Sequence, residues 1–421
     1  MSPPDASAER KASEVPAAAV PFVDSALMSV LALGPLVGLL AALVLAWREG
    51  GVGRVDVGLF VGFWLLTLAG IELGYHRYFS HAAFRTGPAL EAIFVVLGSM
   101  SFQGPAIWWA ATHRKHHQHA DRDDDPHSPH LAGAGARGLL VGLWDAHLGW
   151  NYRAFVTIRR SETWKHLVPD LVANAWLRRV NRGYFLFMAV GLALPALIGG
   201  VAARSLAGAW SGFLWGGLVR LFVVNHTVYA VNSLGHAFGD RPFRLHVRDR
   251  STNNAWLALV TLGASMHHNH HAFPAAGVTR LRWWQLDAGG FILAGLERLG
   301  VVRDLKRPPD ARPAGWTRSA TGVVRSGDTA TGGALSGLSA RGVFVEMPLG
   351  AAAPPVGARV RLGDVRASDG AVELEVDAVV ERASWRGVGL RFGAPSEPAR
   401  AAIARLRRRG AQEEAGGDDE P

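Results

Sequence analysis

A chain of 421 residues, 49% apolar and only 19% charged, is long enough for two or three domains at roughly 150 residues each and falls below the roughly 25% charge of ordinary soluble domains. It contains no cysteine, which excludes disulfides, thiol catalysis and thiolate-held zinc or iron–sulfur clusters. A net charge of +9 suits the basic cytoplasmic loops of a membrane protein, with nucleic-acid binding as the competing explanation, and 17 histidines leave imidazole as the obvious metal ligand.

Residues 1–25 read as a polar, Ala/Pro-rich tail without the layout of a cleaved signal. Apolar runs follow at Ala26–Trp47, Val57–Leu73, Gly183–Ala203 and Ala207–Val231, the last broken only by Arg220 and His226. A span needs about 20 apolar residues, so four transmembrane helices are expected. The segment between the second and third runs is dense in Lys and Arg, while the two short links hold only Arg48, Arg54 and Arg204. Basic loops stay cytoplasmic, which predicts that both termini and the long middle segment lie inside. Leu90–Trp109 is apolar but punctuated by Gly98, Gly104 and Pro105; it is expected at the interface rather than as a fifth span, which would put the histidine clusters on opposite sides. Leu281–Leu299 reads as an amphipathic stretch for the membrane surface. Residues 26–305 thus form a membrane domain. Pro308, Pro309 and Pro313 mark a linker over 306–316. From 317 to 409, alternating segments such as Gly342–Met347, Ala358–Leu362, Ala371–Val380 and Val388–Phe392, separated by Gly-rich turns, predict a small β domain with a helix from Glu397. An acidic tail, 410–421, closes the chain.

The histidines are clustered. His76 and His81 fall at the inner end of the second span; His113, His116 and His117 stand at i, i+3 and i+4, and so do His267, His270 and His271. On a helix such a trio shares one face. His236 lies just past the fourth span, four residues after Asn232. With the orientation above, all of them meet at one membrane face, and Asn232 is placed to hold a water on a metal with fewer nitrogen ligands. Imidazole suits iron, zinc and copper, so ligand type alone does not choose the metal. No His-Glu-x-x-His zinc-protease motif is present. The run Asp121–Asp125 is expected to be a solvated loop before a turn at Pro126, apart from Asp125, which opens an Asp-Pro-His motif.

The boxes His-Arg-Tyr-Phe-Ser-His (76–81), His-Arg-Lys-His-His (113–117) and His-His-Asn-His-His (267–271), with Asp125-Pro-His127, His147-Leu-Gly-Trp150 and Asn232-Ser-Leu-Gly-His236, carry a resemblance. From about Leu27 to Gly300 the chain resembles the membrane fatty acyl desaturases of the stearoyl-CoA Δ9-desaturase group. The resemblance implies a mainly α membrane protein, four spans under a cytosolic helical cap. It implies two iron ions held by His76, His81, His113, His116, His117, His236, His267, His270 and His271, with Asn232 holding a water. It implies O2- and electron-dependent insertion of a cis double bond, Δ9 by analogy, into an acyl-CoA or acyl-lipid; the alternatives are a histidine-box hydroxylase or ketolase of lipids and a non-catalytic membrane receptor signalling through the C-terminal β domain. Two positions depart from the family: Gly263-Ala-Ser-Met266 stands where Gly-Glu-Gly-x is usual, and His268 where Asn is usual.

An unactivated methylene has no acidic proton, so side-chain acid/base catalysis does not begin such a reaction; a metal-activated oxidant does. Stepping back from His76 along one helical face reaches Leu68 and Trp64, roughly 12–18 Å away at about 1.5 Å per residue and matching some eight to nine carbons. Both are expected to floor an acyl tunnel and set chain length. Arg114, Lys115, Arg122 and Arg153 are candidates for CoA phosphates. No His-Pro-Gly-Gly haem motif is present, so electrons are expected from a separate partner, a ferredoxin or a cytochrome b5-like protein with its reductase. The segment from about Arg312 to Arg408, through Leu338–Val345 and Arg386–Phe392, resembles a PilZ domain, a small β-barrel that binds cyclic di-GMP in many bacterial proteins. Ser339 and Gly342 fit its binding turn, Arg312 and Arg318 are more widely spaced than its Arg pair, and Gly337 replaces its Asp/Asn. The whole is expected in a bacterial inner membrane, in contact with membrane lipids and with no nucleic-acid partner.

Overall fold

The computed structural model describes residues 20–308 apart from 161–162, 243–244 and 246–247, and residues 320–415 apart from 337, 339–341, 348–353, 368–369, 373 and 385–386. They fall into two compact units. In the first, four helices are long and apolar enough to cross a membrane by length and composition: α1 (Phe22–Glu49), α2 (Arg54–Ser80), α9 (Tyr184–Ala203) and α10 (Leu206–His236). These are the four expected runs; α1, α2 and α10 extend beyond their apolar cores, and α9 begins one residue later. Helix α1 ends at Gly50, whose φ of 76° lets its N–H return to the carbonyl of Ala46. Helix α2 continues past the apolar run because it widens into π-helical turns over Gly70–Ser80, a device frequent at functional sites. The polar residues there are buried and paired. The Arg77 guanidinium donates to Glu72 Oε1 at 2.8 and 2.9 Å, to Asp287 Oδ1 at 2.8 Å and to the carbonyl of Gly277 at 2.8 Å.

Small residues let the backbones of these apolar helices approach closely. A Cβ on Gly199 of α9 would sit 2.4 Å from the carbonyl of Gly208 of α10, and one on Gly38 of α1 would sit 2.4 Å from Leu218 Cβ. Arg220 is fully buried in α10. It donates to the carbonyls of Gly216 at 3.1 Å, Met100 at 2.6 Å and Gly191 at 2.6 Å. In a regular helix the Gly191 carbonyl would bond to the N–H of residue 195; that residue is Pro195, which has none. The guanidinium therefore supplies the donor that the proline withholds.

After α2, β1 (Arg85–Thr86) pairs antiparallel with the distant β2 (Val302–Arg303). The stretch Leu90–Trp109 is split into α3 (Pro88–Ser99) and α4 (Ala106–His119) by a turn with Phe102 at φ 63° and Gly104 at φ 93°. At about 1.5 Å per residue neither piece reaches across the roughly 30 Å of a bilayer core. Helices α5 (Gly135–Trp144) and α6 (Trp150–Arg160) are joined through a π-helical turn. Two short helices follow, α7 (Pro169–Ala173) and α8 (Ala175–Asn181). After α10 come α11 (His267–Ala272) and α12 (Ala288–Arg298). The amphipathic stretch expected over Leu281–Leu299 is helical only from Ala288, because Asp287 caps that helix by accepting from Gly290 N at 2.8 Å. Trp283 and Trp284 project from the preceding loop at 84% and 62% exposure.

The second unit is a closed antiparallel β-barrel. Strands β3 (Ala320–Ser326), β4 (Thr329–Ser336), β5 (Gly342–Glu346), β9 (Gly387–Phe392), β8 (Val376–Ser384) and β6 (Arg359–Ala367) follow in that order, and β3–β6 pairing closes the ring. The short β7 (Gly370–Val372) pairs with β6 alone. The stretch expected as one strand, Ala371–Val380, is thus two. Alternate residues such as Val343 and Val345 face a core capped by Ala399, Ala402, Ile403 and Leu406 of α13 (Glu397–Ala415), which runs into the stretch expected as an acidic tail. Gly342 opens β5 where a Cβ would meet the carbonyl of Leu390 at 2.2 Å, so strand packing accounts for this glycine. Arg312, Arg318 and Ser339 lie outside the described residues.

Candidate metal centre

The π-helical end of α2 delivers His76, and the chain turns at once to His81. One face of α4 presents His113, His116 and His117, the end of α10 presents His236, and α11 presents His267, His270 and His271. These nine imidazoles form two groups: His76, His81, His113, His117 and His270 in one, and His116, His236, His267 and His271 in the other. Every box contributes to the first group, and the second and third boxes are shared between both.

Within each group the rings meet through Nε2. In the first, His81–His113 is 2.8 Å, His113–His117 3.0 Å, His117–His270 2.9 Å and His270–His76 3.0 Å. In the second, His236–His267 is 3.0 Å, His267–His271 3.1 Å and His271–His116 3.3 Å. Nitrogens about 2.1 Å from a common ion and at right angles to each other stand about 3.0 Å apart.

Carboxylates fix which nitrogen carries the proton. Nδ1 of His76 donates to Glu72 at 2.8 Å, and Nδ1 of His116, His236 and His271 donate to Asp125, Asp121 and Asp249, each at 2.9 Å. The Nε2 lone pairs of His116 and His271 then face each other with no proton between them, an arrangement that a cation relieves. The donor set fits a metal on that ground, with carboxylates in the usual outer role. Burial, reinforced by neighbouring imidazoles, pushes His113, His117, His267 and His270 well below the ordinary histidine range, and burial takes His271 down to about 4. They are neutral ligands at neutral pH. Burial would raise Asp121, Asp125 and Asp249, but His236, His116 and His271 respectively outweigh it and hold each below the ordinary carboxylate range.

This corrects the expectation of a solvated loop at Asp121–Asp125. Asp121 and Asp125 are buried. Asp121 also accepts from Arg250 N at 2.7 Å and Ser128 Oγ at 2.6 Å, while Asp125 accepts from the N–H of Asp121 at 2.7 Å and of His127 at 3.1 Å. Asp249 gave no sequence signal, because it sits in an unpatterned loop. Arg114 is likewise not a phosphate contact. It is fully buried and donates to the carbonyls of Phe79 and Ser80 at 2.9 Å and to Asp170 at 2.6 and 2.9 Å. Arg153 is held bidentately by Asp145 at 2.7 and 2.8 Å. A pair that sequence reading passed over, His147 and His226, meets at 2.9 Å, with His147 Nδ1 also 2.9 Å from Ser233 Oγ.

An apolar pocket opens on both groups. His76, His113, His116 and His267 line it together with Leu68, Ile71 and Glu72 of α2, Trp109 of α4, Thr227, Val228, Val231 and Asn232 of α10, and Thr261 and Ala264. Asn232 is therefore beside the histidines, one turn before His236. Leu68 is on the pocket wall, whereas Trp64 is not; its ring stacks on Phe60 at 6.4 Å between centroids.

Residues 56–291 match the family model for fatty acid desaturase, and that stretch holds all nine histidines. Over 276 residues the chain is 41% identical to hex-5-enoyl-[acyl-carrier protein] acetylenase of Moorena producens, covering 65% of this chain and 84% of that protein. It is 34% identical over 280 residues to the chloroplastic palmitoyl-monogalactosyldiacylglycerol delta-7 desaturase of Arabidopsis thaliana, covering 66% and 67%. It is also 34% identical over 253 residues to sn-1 stearoyl-lipid 9-desaturase of Anabaena variabilis, covering 60% and 84%.

Proposed function

The chain belongs to the fatty acid desaturase family, and from that premise we propose that it is a membrane-embedded di-iron desaturase that inserts a cis double bond, at the Δ9 position, into a saturated acyl-CoA or acyl-lipid. One observation carries the reading: nine buried imidazoles gather in two groups at metal-ligand spacing on a single apolar pocket. The reaction removes one hydrogen from each of two adjacent methylenes and, with two electrons and two protons from outside, reduces O2 to two waters. Bound iron supplies an oxidant strong enough for an unactivated methylene.

The protein's part is positioning. His76, His81, His113, His117 and His270 would hold one iron. His116, His236, His267 and His271 would hold the other, with Asn232 holding a water beside it. Glu72, Asp121, Asp125 and Asp249 keep the Nδ1 protons and aim the Nε2 lone pairs inward. Leu68, Ile71, Val228 and Val231 receive the chain, exclude water and fix which carbons stand at the centre. Leu68, on the pocket wall, sets the depth.

The four apolar helices support residence in a membrane; the Lys/Arg excess of the long middle segment favours both termini on the cytoplasmic side of a bacterial inner membrane, and a ferredoxin or cytochrome b5-like protein delivers the electrons. The barrel is a PilZ-like regulatory or docking appendage. Heat on titrating the full-length protein with cyclic di-GMP supports a ligand role, and no heat supports docking. A second reading has one observation in its favour: the relative at 41% identity is named an acetylenase, which points to removal of hydrogen from an existing double bond. Expression in a desaturase-deficient bacterium, with fatty-acid profiling by mass spectrometry, separates the two. A new cis-Δ9 monoene supports the first, an alkyne the second, and an unchanged profile contradicts both.

A further inference from the structure

His268 follows the first ligand of the third box but does not belong to either histidine group. It is fully buried, and a buried imidazole needs partners. Its Nδ1 lies 3.1 Å from Ser251 Oγ, and Ser251 Oγ lies 2.6 Å from Asp249 Oδ1. A carboxylate only accepts, so the single hydroxyl hydrogen of Ser251 goes to Asp249, and the His268 ring must be the donor to Ser251. The Ser251 N–H also donates to Asp249 Oδ1, at 3.0 Å, while Asp249 Oδ2 accepts from His271 Nδ1 at 2.9 Å. The direction of every bond is thereby set: His268 to Ser251, Ser251 to Asp249, and His271 to Asp249 from the other side.

We propose that His268 is a positioning residue for the four-histidine centre, acting through Ser251 and Asp249 to orient His271. A hydroxyl is a free rotor. An acceptor at 268 would draw the Ser251 hydrogen away from Asp249, and an apolar residue would leave the rotor unguided. Asp249 stands in a loop without helix or strand, so the contacts on Oδ1 hold the carboxylate that aims His271. The His76 group has no part in this relay. A defect in it therefore falls on one centre and spares the other. The inference rests on the two-iron reading above.

The test is chelator challenge of the full-length, iron-loaded protein in detergent, counting iron per chain. The wild type is expected to retain two irons. H268L and S251A release one of the two at chelator concentrations lower by about 10- to 100-fold, the usual cost of losing an outer partner of a ligand, and keep the other. H268N, whose amide donates to Ser251, behaves as the wild type. The inference is overturned if H268L and S251A hold both irons as firmly as the wild type, or if they shed both in parallel with a falling melting temperature. A wild type that binds no iron overturns the two-iron reading itself and the inference with it, which distinguishes the two failures.

Discussion

The described contacts place one carboxylate at the five-histidine centre, Glu72 on His76, and three at the four-histidine centre, Asp125 on His116, Asp121 on His236 and Asp249 on His271. The first centre leans on the π-helical end of α2 and on α4, where backbone geometry already fixes the rings. The second draws its carboxylates from loops around 121–125 and 249, where the backbone N–H groups of Arg250, Asp121, His127 and Ser251 donate to them. Among the described contacts, three of its four imidazoles carry a carboxylate, against one of five at the first centre. The centre with fewer imidazoles is thus the more elaborately braced, and it is the one that adjoins Asn232.

The comparison breaks most completely at the ligands themselves. His117→Ala in the first group and His267→Ala in the second are each expected to abolish product formation, with metal analysis showing one iron lost from each variant; full activity in either would contradict the two-group assignment. Asymmetry between the braces gives the next largest effect. Asp121→Asn is expected to weaken iron at the four-histidine centre by about 10- to 100-fold and leave the other in place. Glu72→Gln is expected to do the reverse, and also to lower the melting temperature, because the buried Arg77 is then left with Asp287 as its one described carboxylate partner.

Acid probes the four-histidine side of the comparison. His127 and His271 are held at about 3 and about 4, mainly by burial, below the roughly 6.5 of the unfolded chain. Between those values the unfolded chain binds more protons, so stability present above pH 6.5 is lost as pH falls toward 4, by up to about 1.4 kcal/mol per pH unit for each such ring. Thermal unfolding of the metal-free protein across that range checks the slope; a flat profile would contradict it. The smallest effect concerns the pocket that serves both groups. Leu68→Phe is expected to shift products toward chains shorter by about two carbons, at about 1.25 Å per carbon, and an unchanged profile would remove Leu68 from the wall that sets length.

The parts legible in the sequence were those written in local periodicity. Four long apolar helices follow from apolar run length, the i, i+3, i+4 trios from the helical repeat, and the barrel strands from alternation. What was not legible depends on distant partners. Asp121 and Asp125 look like a solvated acidic run until His236 and His116 are seen against them, and Asp249 has no pattern around it at all. Arg114 carries the same charge as a phosphate-binding arginine, and only its burial against Asp170 shows otherwise. The Gly263–Met266 departure replaces the family's usual glutamate with Ala264, which faces the pocket rather than a charge network.

Anomalous X-ray diffraction at the iron edge tests the central claim most directly. Two peaks are predicted, one inside the Nε2 atoms of His76, His81, His113, His117 and His270, the other inside those of His116, His236, His267 and His271. A single peak, or none at these positions in protein that makes product, would contradict the account.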